Sequence, residues 1–387
     1  MNEKILLLNK AFSPSSPIKK SDFFSGRITQ IDKICDVINE DGQHAIVYGE
    51  RGVGKTSFAN IISESLTNIY PIKITCNKND TFHTLWKQAF NQIQFSKTIA
   101  GLGFKPEIKK ELVNFGNTLD INSDYFNNDI INCLNSIPNK FLFIFDEFDN
   151  IEDLKTKSNF ADLIKAFSDN NINTTIVIVG IADDISDLIG SHPSLERCLK
   201  QIKMPRMSDK ESEEIILKGL SKLELTISDN IKNKIIEFSS GFPHYIHLLC
   251  KYGAKELIEN EKKDFGDAYL TIAIRKGIEN TNENLKSSFR IATINNSTSE
   301  KWMYILYACA LCSLDKYNCF ERSKIVELYN VITRKKVNGN ALSYNLKQLC
   351  TSERGDILQK VGKGLHSRYR FTNPMMRAYI KLKINSI

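Results

Sequence analysis

Eight consecutive residues carry the clearest chemistry in this chain: Gly49-Glu50-Arg51-Gly52-Val53-Gly54-Lys55-Thr56. They fit G-x-x-x-x-G-K-[ST] at every fixed position. Glycines let successive backbone N–H groups turn inward around phosphate oxygens. A helix beginning at Lys55 would add its positive end. Lys55 would neutralise β- and γ-phosphates and Thr56 would offer its hydroxyl to Mg2+, with Ser57 the last of the candidate nucleotide contacts. An accidental glycine turn is the competing reading. It is disfavoured because an apolar run, Ala45–Tyr48, precedes the loop and a helical pattern, Lys55–Thr67, follows it.

A second constellation follows the apolar run Phe141–Phe145: Asp146-Glu147-Phe148-Asp149. Asp146 would hold Mg2+, directly or through water, and Glu147 would polarise an attacking water as general base. Asp149 reads as a weaker candidate, a helix cap. A solvated acidic turn is the alternative, and the phosphate loop upstream argues against it. Glutamate directly after the metal-binding aspartate favours hydrolysis over passive binding. The expected cofactors are ATP and Mg2+.

These groups need rigid elements behind them. Apolar runs at Ala45–Tyr48, Ile72–Thr75, Phe141–Phe145 and Thr175–Val179, with a weaker one at Gln201–Met204, alternate with helical patterns at Lys55–Thr67, Phe82–Gln94, Phe126–Ile137 and Phe160–Asp169. Strands alternating with helices predict an α/β fold with a parallel sheet covered on both faces. Phe82, Trp86 and Phe90 form a core stripe. After Pro205 the strand signal stops. Ser208 caps MSDKESEEIILKGL, and Ser228–Ser239, Pro243–Asn260 and Phe265–Asn280 follow as helices. From Glu300 the order is helix (to Cys312), helix (Arg322–Tyr329), helix (Gly339–Cys350), two short strands (Ile357–Val361, Arg368–Phe371) joined by GKGLHS, and a last helix, Pro374–Lys383. That is the order of a winged helix-turn-helix. The expected divisions are a leader at 1–20, extended over 12–22, a phosphate-loop core at 21–205, a helical lid at 206–297 and a winged helix at 298–387.

Charge is unevenly placed. The 387 residues carry a net +7, yet residues 299–387 hold 16 Lys+Arg against 6 Asp+Glu, a balance of +10 that leaves −3 for the rest. A polyanion partner would meet the C-terminal end; a solvated lysine-rich surface is the bland alternative. Candidate DNA contacts are Arg334, Lys335, Lys336, Lys347, Lys363 and Arg368, with Asn340, Ser343 and Tyr344 facing bases. Charged residues at 25% and apolar ones at 42% argue against a disordered or fibrous chain. No apolar run has the length of a membrane span. Nine cysteines, an odd and sparse set without an export signal, fit a reducing cytoplasm. Cys309 and Cys312, in an apolar helix with Cys319 nearby, read as core residues.

The order Phe24-Ser25-Gly26-Arg27, phosphate loop, DEFD, the run Thr175–Gly180 and then SLERCL resembles the AAA+/STAND superfamily of ATPases, nearest to its replication-initiator (origin-recognition-like) branch. The resemblance spans residues 21–385 and implies a parallel αβα P-loop core, a helical lid and a C-terminal winged helix. It implies that Phe24, Gly26 and Arg27 line the adenine, with Arg27 as an ordinary surface residue the alternative. It places an arginine finger at Arg197, against an internal ion pair with Glu196 or Asp187. Gly241-Phe242-Pro243 resembles the lid element that packs on adenine, which makes Pro243 a candidate contact. Two departures stand out. Gly180-Ile181-Ala182-Asp183 offers no amide at the sensor-1 position, and His244 stands where relatives carry a sensor-2 arginine. The expected function is an ATPase switch that assembles into homo-oligomers and engages DNA through its winged helix. A signalling ATPase that binds a protein partner, and a scaffold with negligible turnover, are the alternatives.

Overall fold

The structure is a computed structural model; it describes all residues except 1, 15, 19–23, 66–67, 101–107, 115, 117–126, 191–194, 295–299, 316, 339, 362–367 and 386–387. The chain forms two compact units, one of Pro17–Glu50 with Gly54–Pro205, the other of Met1–Ser16 with Arg51–Val53 and Arg206–Ile387. The expected boundaries at 20/21 and 297/298, the wing GKGLHS with Lys363, and Ser194 lie outside the described residues.

The chain opens with α1 (Asn2–Ala11) of the second unit. The first unit then runs α2 (Ile28–Asn39), β1 (His44–Gly49), α3 (Lys55–Ser65), β2 (Ile69–Thr75), α4 (Phe82–Asn91), β3 (Gln94–Ala100), β4 (Ile108–Asn114), α5 (Asn127–Asn135), β5 (Lys140–Asp146), α6 (Leu154–Asp169), β6 (Thr174–Ile181), α7 (Ser186–Ile189) and β7 (Leu199–Lys203). Five strands make a parallel sheet in the order β2-β5-β6-β1-β7. The central strands β1, β5 and β6 are buried along nearly their whole length, which is why they read as unbroken apolar runs. The edge strand β2 starts three residues earlier than its apolar run. Tyr70 and Pro71 are exposed there, where an edge tolerates a missing N–H. The antiparallel hairpin β3–β4 was not visible in the sequence.

The Trp86 stripe is core. Its ring lies 4.9 Å from Phe143 and 5.5 Å from Phe145, while Phe160 packs 4.7 Å from Phe145. This aromatic block fixes the end of β5, where the acidic pair begins. Helix α6 starts earlier than its apolar pattern because Asp153 caps it, accepting the N–H groups of Lys155 and Thr156.

His44, at the start of β1, is fully buried, and its Nδ1 accepts the Ile176 N–H at 3.0 Å. Its Nε2 has no hydrogen-bond partner among the described residues, and burial lowers its pKa to about 4. A folded pKa below the unfolded value of about 6.5 gives stability that is full above pH 6.5 and lost as pH falls towards 4. His44→Asn keeps an acceptor near Nδ1 and removes the titration. The wild-type advantage in unfolding free energy over this variant is expected to shrink by about 2 kcal/mol between pH 7 and pH 5. A difference independent of pH, measured by denaturant unfolding at both values, would refute it.

The second unit continues with α8 (Asp209–Lys222), β8 (Thr226–Ile227), α9 (Asp229–Ser239), α10 (Pro243–Glu259), β9 (Asp264–Phe265), α11 (Asp267–Glu279) and α12 (Glu283–Thr293). Ser208 and Glu211 form a reciprocal capping box on α8. Gly241, at φ +78°, stops α9, and Pro243 starts α10. The N-terminal helix, unforeseen in sequence, packs on α8 and α10 with Leu8, Ala11 and Phe12 buried. Gly219 makes room for it: a Cβ there would lie 2.3 Å from Phe12 Cζ.

The chain ends with α13 (Lys301–Leu311), β10 (Phe320–Glu321), α14 (Arg322–Thr333), α15 (Ser343–Gln348), β11 (Leu358–Val361), β12 (Arg368–Phe371) and α16 (Met376–Ile384). Three strands pair antiparallel in the order β10-β12-β11, completing a winged-helix topology. Cys309, Cys312 and Cys319 are buried. Among the described residues no group of three His, Cys, Asp or Glu side chains is placed to hold a metal.

Candidate active site

The loop between β1 and α3 needs its glycines: Gly49, Gly52 and Gly54 have φ of +152°, +86° and +98°. Val53 is buried, while Arg51 is exposed. Lys55 is nearly buried, and its ammonium donates to the carbonyls of Gly49 and Glu50, both at 2.8 Å. A cation thus sits inside the loop, where phosphate charge would be met. Thr56 occupies the first turn of α3, and Ser57 Oγ accepts the Ile18 N–H at 3.1 Å.

Asp146 ends β5, opposite Thr75 of β2 in register. It is buried, and its two oxygens have different partners. Oδ1 accepts the Glu147 N–H at 3.0 Å and the Thr56 hydroxyl at 3.4 Å. Oδ2 pairs with the Lys73 ammonium at 2.9 Å. Thr56 and Asp146, far apart in sequence, therefore meet, and an alcohol beside a carboxylate is an oxygen donor set that fits Mg2+. Lys73 was missed by sequence reasoning: a single lysine in an edge strand carries no motif.

Glu147 adopts left-handed backbone, φ 58° and ψ 37°, with its side chain exposed. A non-glycine residue there costs about 1–2 kcal/mol, and such strain gathers at functional positions. Buried Phe148 anchors the turn, its ring 5.0 Å from Phe160. Asn150 Nδ2 donates to Glu147 Oε2 and to the Cys76 carbonyl, each at 3.2 Å. The carboxylate is thereby tied to the chain just beyond β2.

Asp149 is not a helix cap. Its Oδ1 accepts the Ile181 N–H at 2.8 Å. Gly180 precedes that bond, and a Cβ there would lie 3.2 Å from Asp149 Oδ1 and 2.6 Å from Leu188 Cδ2. The end of β6 is thus packed by Asp149 and Leu188, a physical reason for glycine at position 180.

Arg27 is 1% exposed with φ +65°, which removes the surface-residue alternative, and its carbonyl accepts the Ile31 N–H of α2. Phe24 is half-buried. Arg197 is exposed and pairs with Asp169 of α6, a different partner from Glu196 or Asp187. An ion pair this exposed contributes about 0–1 kcal/mol and leaves the guanidinium exchangeable.

In the second unit, Phe242 is fully buried beneath the Arg206 guanidinium, 4.7 Å from its ring centre, and Pro243 leads α10. His244 Nδ1 donates to the Pro14 carbonyl at 2.9 Å, and burial lowers its pKa. His244 is therefore committed to the segment that follows α1.

The C-terminal helices change the expected basic set. Helix α15 is only Ser343–Gln348, so Asn340 precedes it, and the Ser343 hydroxyl accepts from Arg322 at 3.0 Å. Arg368 is bound to Asp315 in an ion pair. Arg334, Lys335, Lys336, Tyr344 and Lys347 are exposed.

With this geometry in hand, comparison gives three findings. The profile of the family described as Novel STAND NTPase 1 matches residues 12–274. Curated protein sequences give no match. Among solved structures, the Walker-type ATPase PABY2304 of Pyrococcus abyssi is similar at 15% identity, covering 95% of this chain and 99% of that one with a TM-score of 0.55. The Aeropyrum pernix ORC1 protein in complex with DNA follows at 13% identity, 98% and 96% coverage and TM-score 0.48. The Aeropyrum pernix ORC2 protein (ADPNP–ADP complexes) has 12%, 95% and 96%, and 0.49.

Proposed function

Because the chain belongs to the Novel STAND NTPase 1 family, we propose that its nucleotide state switches the protein between assemblies and controls engagement of DNA by the C-terminal winged helix. It is a P-loop ATPase. The observation that carries the site is the meeting of Thr56 and Asp146 beside Lys55, at 3.4 Å. Lys55 and the backbone of residues 49–54 bind the phosphates, and Phe24 and Arg27 serve the adenine end. Thr56 and Asp146 hold Mg2+, which when bound neutralises phosphate charge. Glu147 accepts the proton of the attacking water. Arg197, exposed beside Asp169, is the residue available to a neighbouring copy. In this reading the core is 21–205, the lid 206–297 and the winged helix 298–387.

DNA engagement rests on the exposed cations Arg334, Lys335, Lys336 and Lys347. Duplex affinity should fall steeply with salt. The double reversal Lys335→Glu, Lys336→Glu should weaken it at least about tenfold and lower the salt slope by about 2. Fluorescence anisotropy at several salt concentrations checks both. Val331 and Tyr344, 70% and 68% exposed on α14 and α15, favour a second reading in which the same domain takes a protein partner. ATP-dependent assembly without any duplex binding would select it and reject the first. Among the described residues no helix is long and apolar enough to cross a membrane.

A further inference from the structure

Lys73 lies on β2, outside the phosphate-loop motif. Its side chain leaves β2 on the face opposite buried Ile72 and Ile74, and its ammonium meets two groups, Asn60 Oδ1 at 2.6 Å and Asp146 Oδ2 at 2.9 Å. The lysine side chain is 22% exposed and the aspartate 3%, so the pair is screened only weakly by solvent. Asn60 lies on α3, the helix that also carries Lys55 and Thr56. Lys73 thus joins the phosphate-loop helix, the edge strand and the aspartate at the end of β5.

The two oxygens of Asp146 are divided. Oδ1 faces the Thr56 hydroxyl, and Oδ2 faces the ammonium. Any dication held by Thr56 and Asp146 must share that one carboxylate with a fixed positive charge. Two effects oppose each other. Lys73 pairs with a buried carboxylate and orients it, and the loss of one partner of such a pair is destabilising. It also repels a second cation at the same group, more strongly than it would in water.

We propose that Lys73 is a positioning residue that lowers the protein's own affinity for its divalent cation, so that metal is held firmly only when nucleotide phosphates arrive with it. The proposal rests on the ATP·Mg2+ reading of this site. It makes Lys73 a stand-in cation: it neutralises Asp146 before the metal comes, and it makes metal retention depend on the triphosphate.

The probe is Mn2+, followed by the electron-paramagnetic signal of the free ion, with full-length protein and a non-hydrolysable ATP analogue. Without the analogue, Lys73→Gln should bind Mn2+ at least about fivefold more tightly than wild type, and Lys73→Arg, which keeps the charge, should match wild type within about twofold. Thermal unfolding gives an independent reading. Lys73→Gln should melt below wild type without metal and gain more from added Mg2+. Equal or weaker Mn2+ binding by a folded Lys73→Gln overturns the proposal and leaves Lys73 a purely structural ion pair. If wild type itself fails to bind the analogue, the nucleotide reading falls instead, and the two failures are distinguishable.

Discussion

Glu147→Gln is expected to lower steady-state phosphate release by about 10²–10³-fold, within the range of general-base catalysis, while ATP binding stays within about threefold of wild type. Glutamine keeps the size and the acceptor oxygen that Asn150 reaches, and removes only the charge that takes a proton. Lys55, Thr56 and Asp146 are untouched, so the affinity contacts persist. Turnover by filter-free phosphate detection, with analogue binding in parallel, separates the outcomes. Equal near-zero rates in wild type and variant would make the chain a nucleotide-binding scaffold and reject Glu147 as base. A matched loss of binding and turnover would mean that the substitution disturbed the turn instead.

The position of Glu147 makes the prediction strong. The acid pair is split by the backbone: Asp146 is still in the strand and buried, whereas Glu147 is already in the left-handed region and exposed. One residue of chain therefore delivers two carboxylates to two environments. Asp146 is held for a cation and Glu147 for water. Strand geometry alone would send consecutive side chains to opposite faces of the sheet, which would leave one of them away from the phosphate loop. The local strain at Glu147 is offset by the burial of Phe148 immediately after it.

That division was readable only in part from sequence. The apolar runs of β1, β5 and β6 are contiguous because both faces of a parallel sheet are covered, and the phosphate loop announces itself because glycine, lysine and threonine must occupy adjacent positions. Capping at Ser208 is equally local. What escaped is long-range or polar. Lys73 matters through register, since β2 brings it two residues from the partner of Asp146. Asp169 reaches Arg197 across 28 residues of chain. Asp149 takes its N–H from the end of another strand. Hairpin β3–β4 alternates lysine and polar residues with apolar ones and has no uninterrupted run to mark it. In the C-terminal unit, helix α15 is half the length its pattern implied. Among the described members of the expected basic set, Arg334, Lys335, Lys336 and Lys347 are exposed, whereas Arg368 is held by Asp315.

Gly49 yields the second large effect, and it joins fold to site. Its φ of +152° lies where side chains are rarely tolerated, and a Cβ added there would stand 2.3 Å from the Met204 carbonyl oxygen. That carbonyl cannot swing aside freely, because the Met204 N–H is bonded to the Tyr48 carbonyl at 2.7 Å in continuation of the β1–β7 pairing, and Pro205 on its other side restricts the ψ of Met204. Gly49→Ala must therefore either part β7 from β1 or rotate the Gly49 peptide. The second route moves the carbonyl that holds the Lys55 ammonium. Strain of this kind costs about 1–3 kcal/mol and the backbone clash adds to it, so a loss of at least about 3 kcal/mol is expected. For a unit of this size that is a fall in melting temperature of about 6–12 °C. Analogue binding should weaken in the fraction that remains folded. Gly266→Ala is the control, since a Cβ there meets nothing within 4 Å; at an N-cap it should cost less than about 1 kcal/mol. Equal melting temperatures for Gly49→Ala and wild type would show that the β1–β7 edge yields at no cost, and the close packing of loop and edge strand would have to be abandoned as the reason for glycine at the mouth of the phosphate loop.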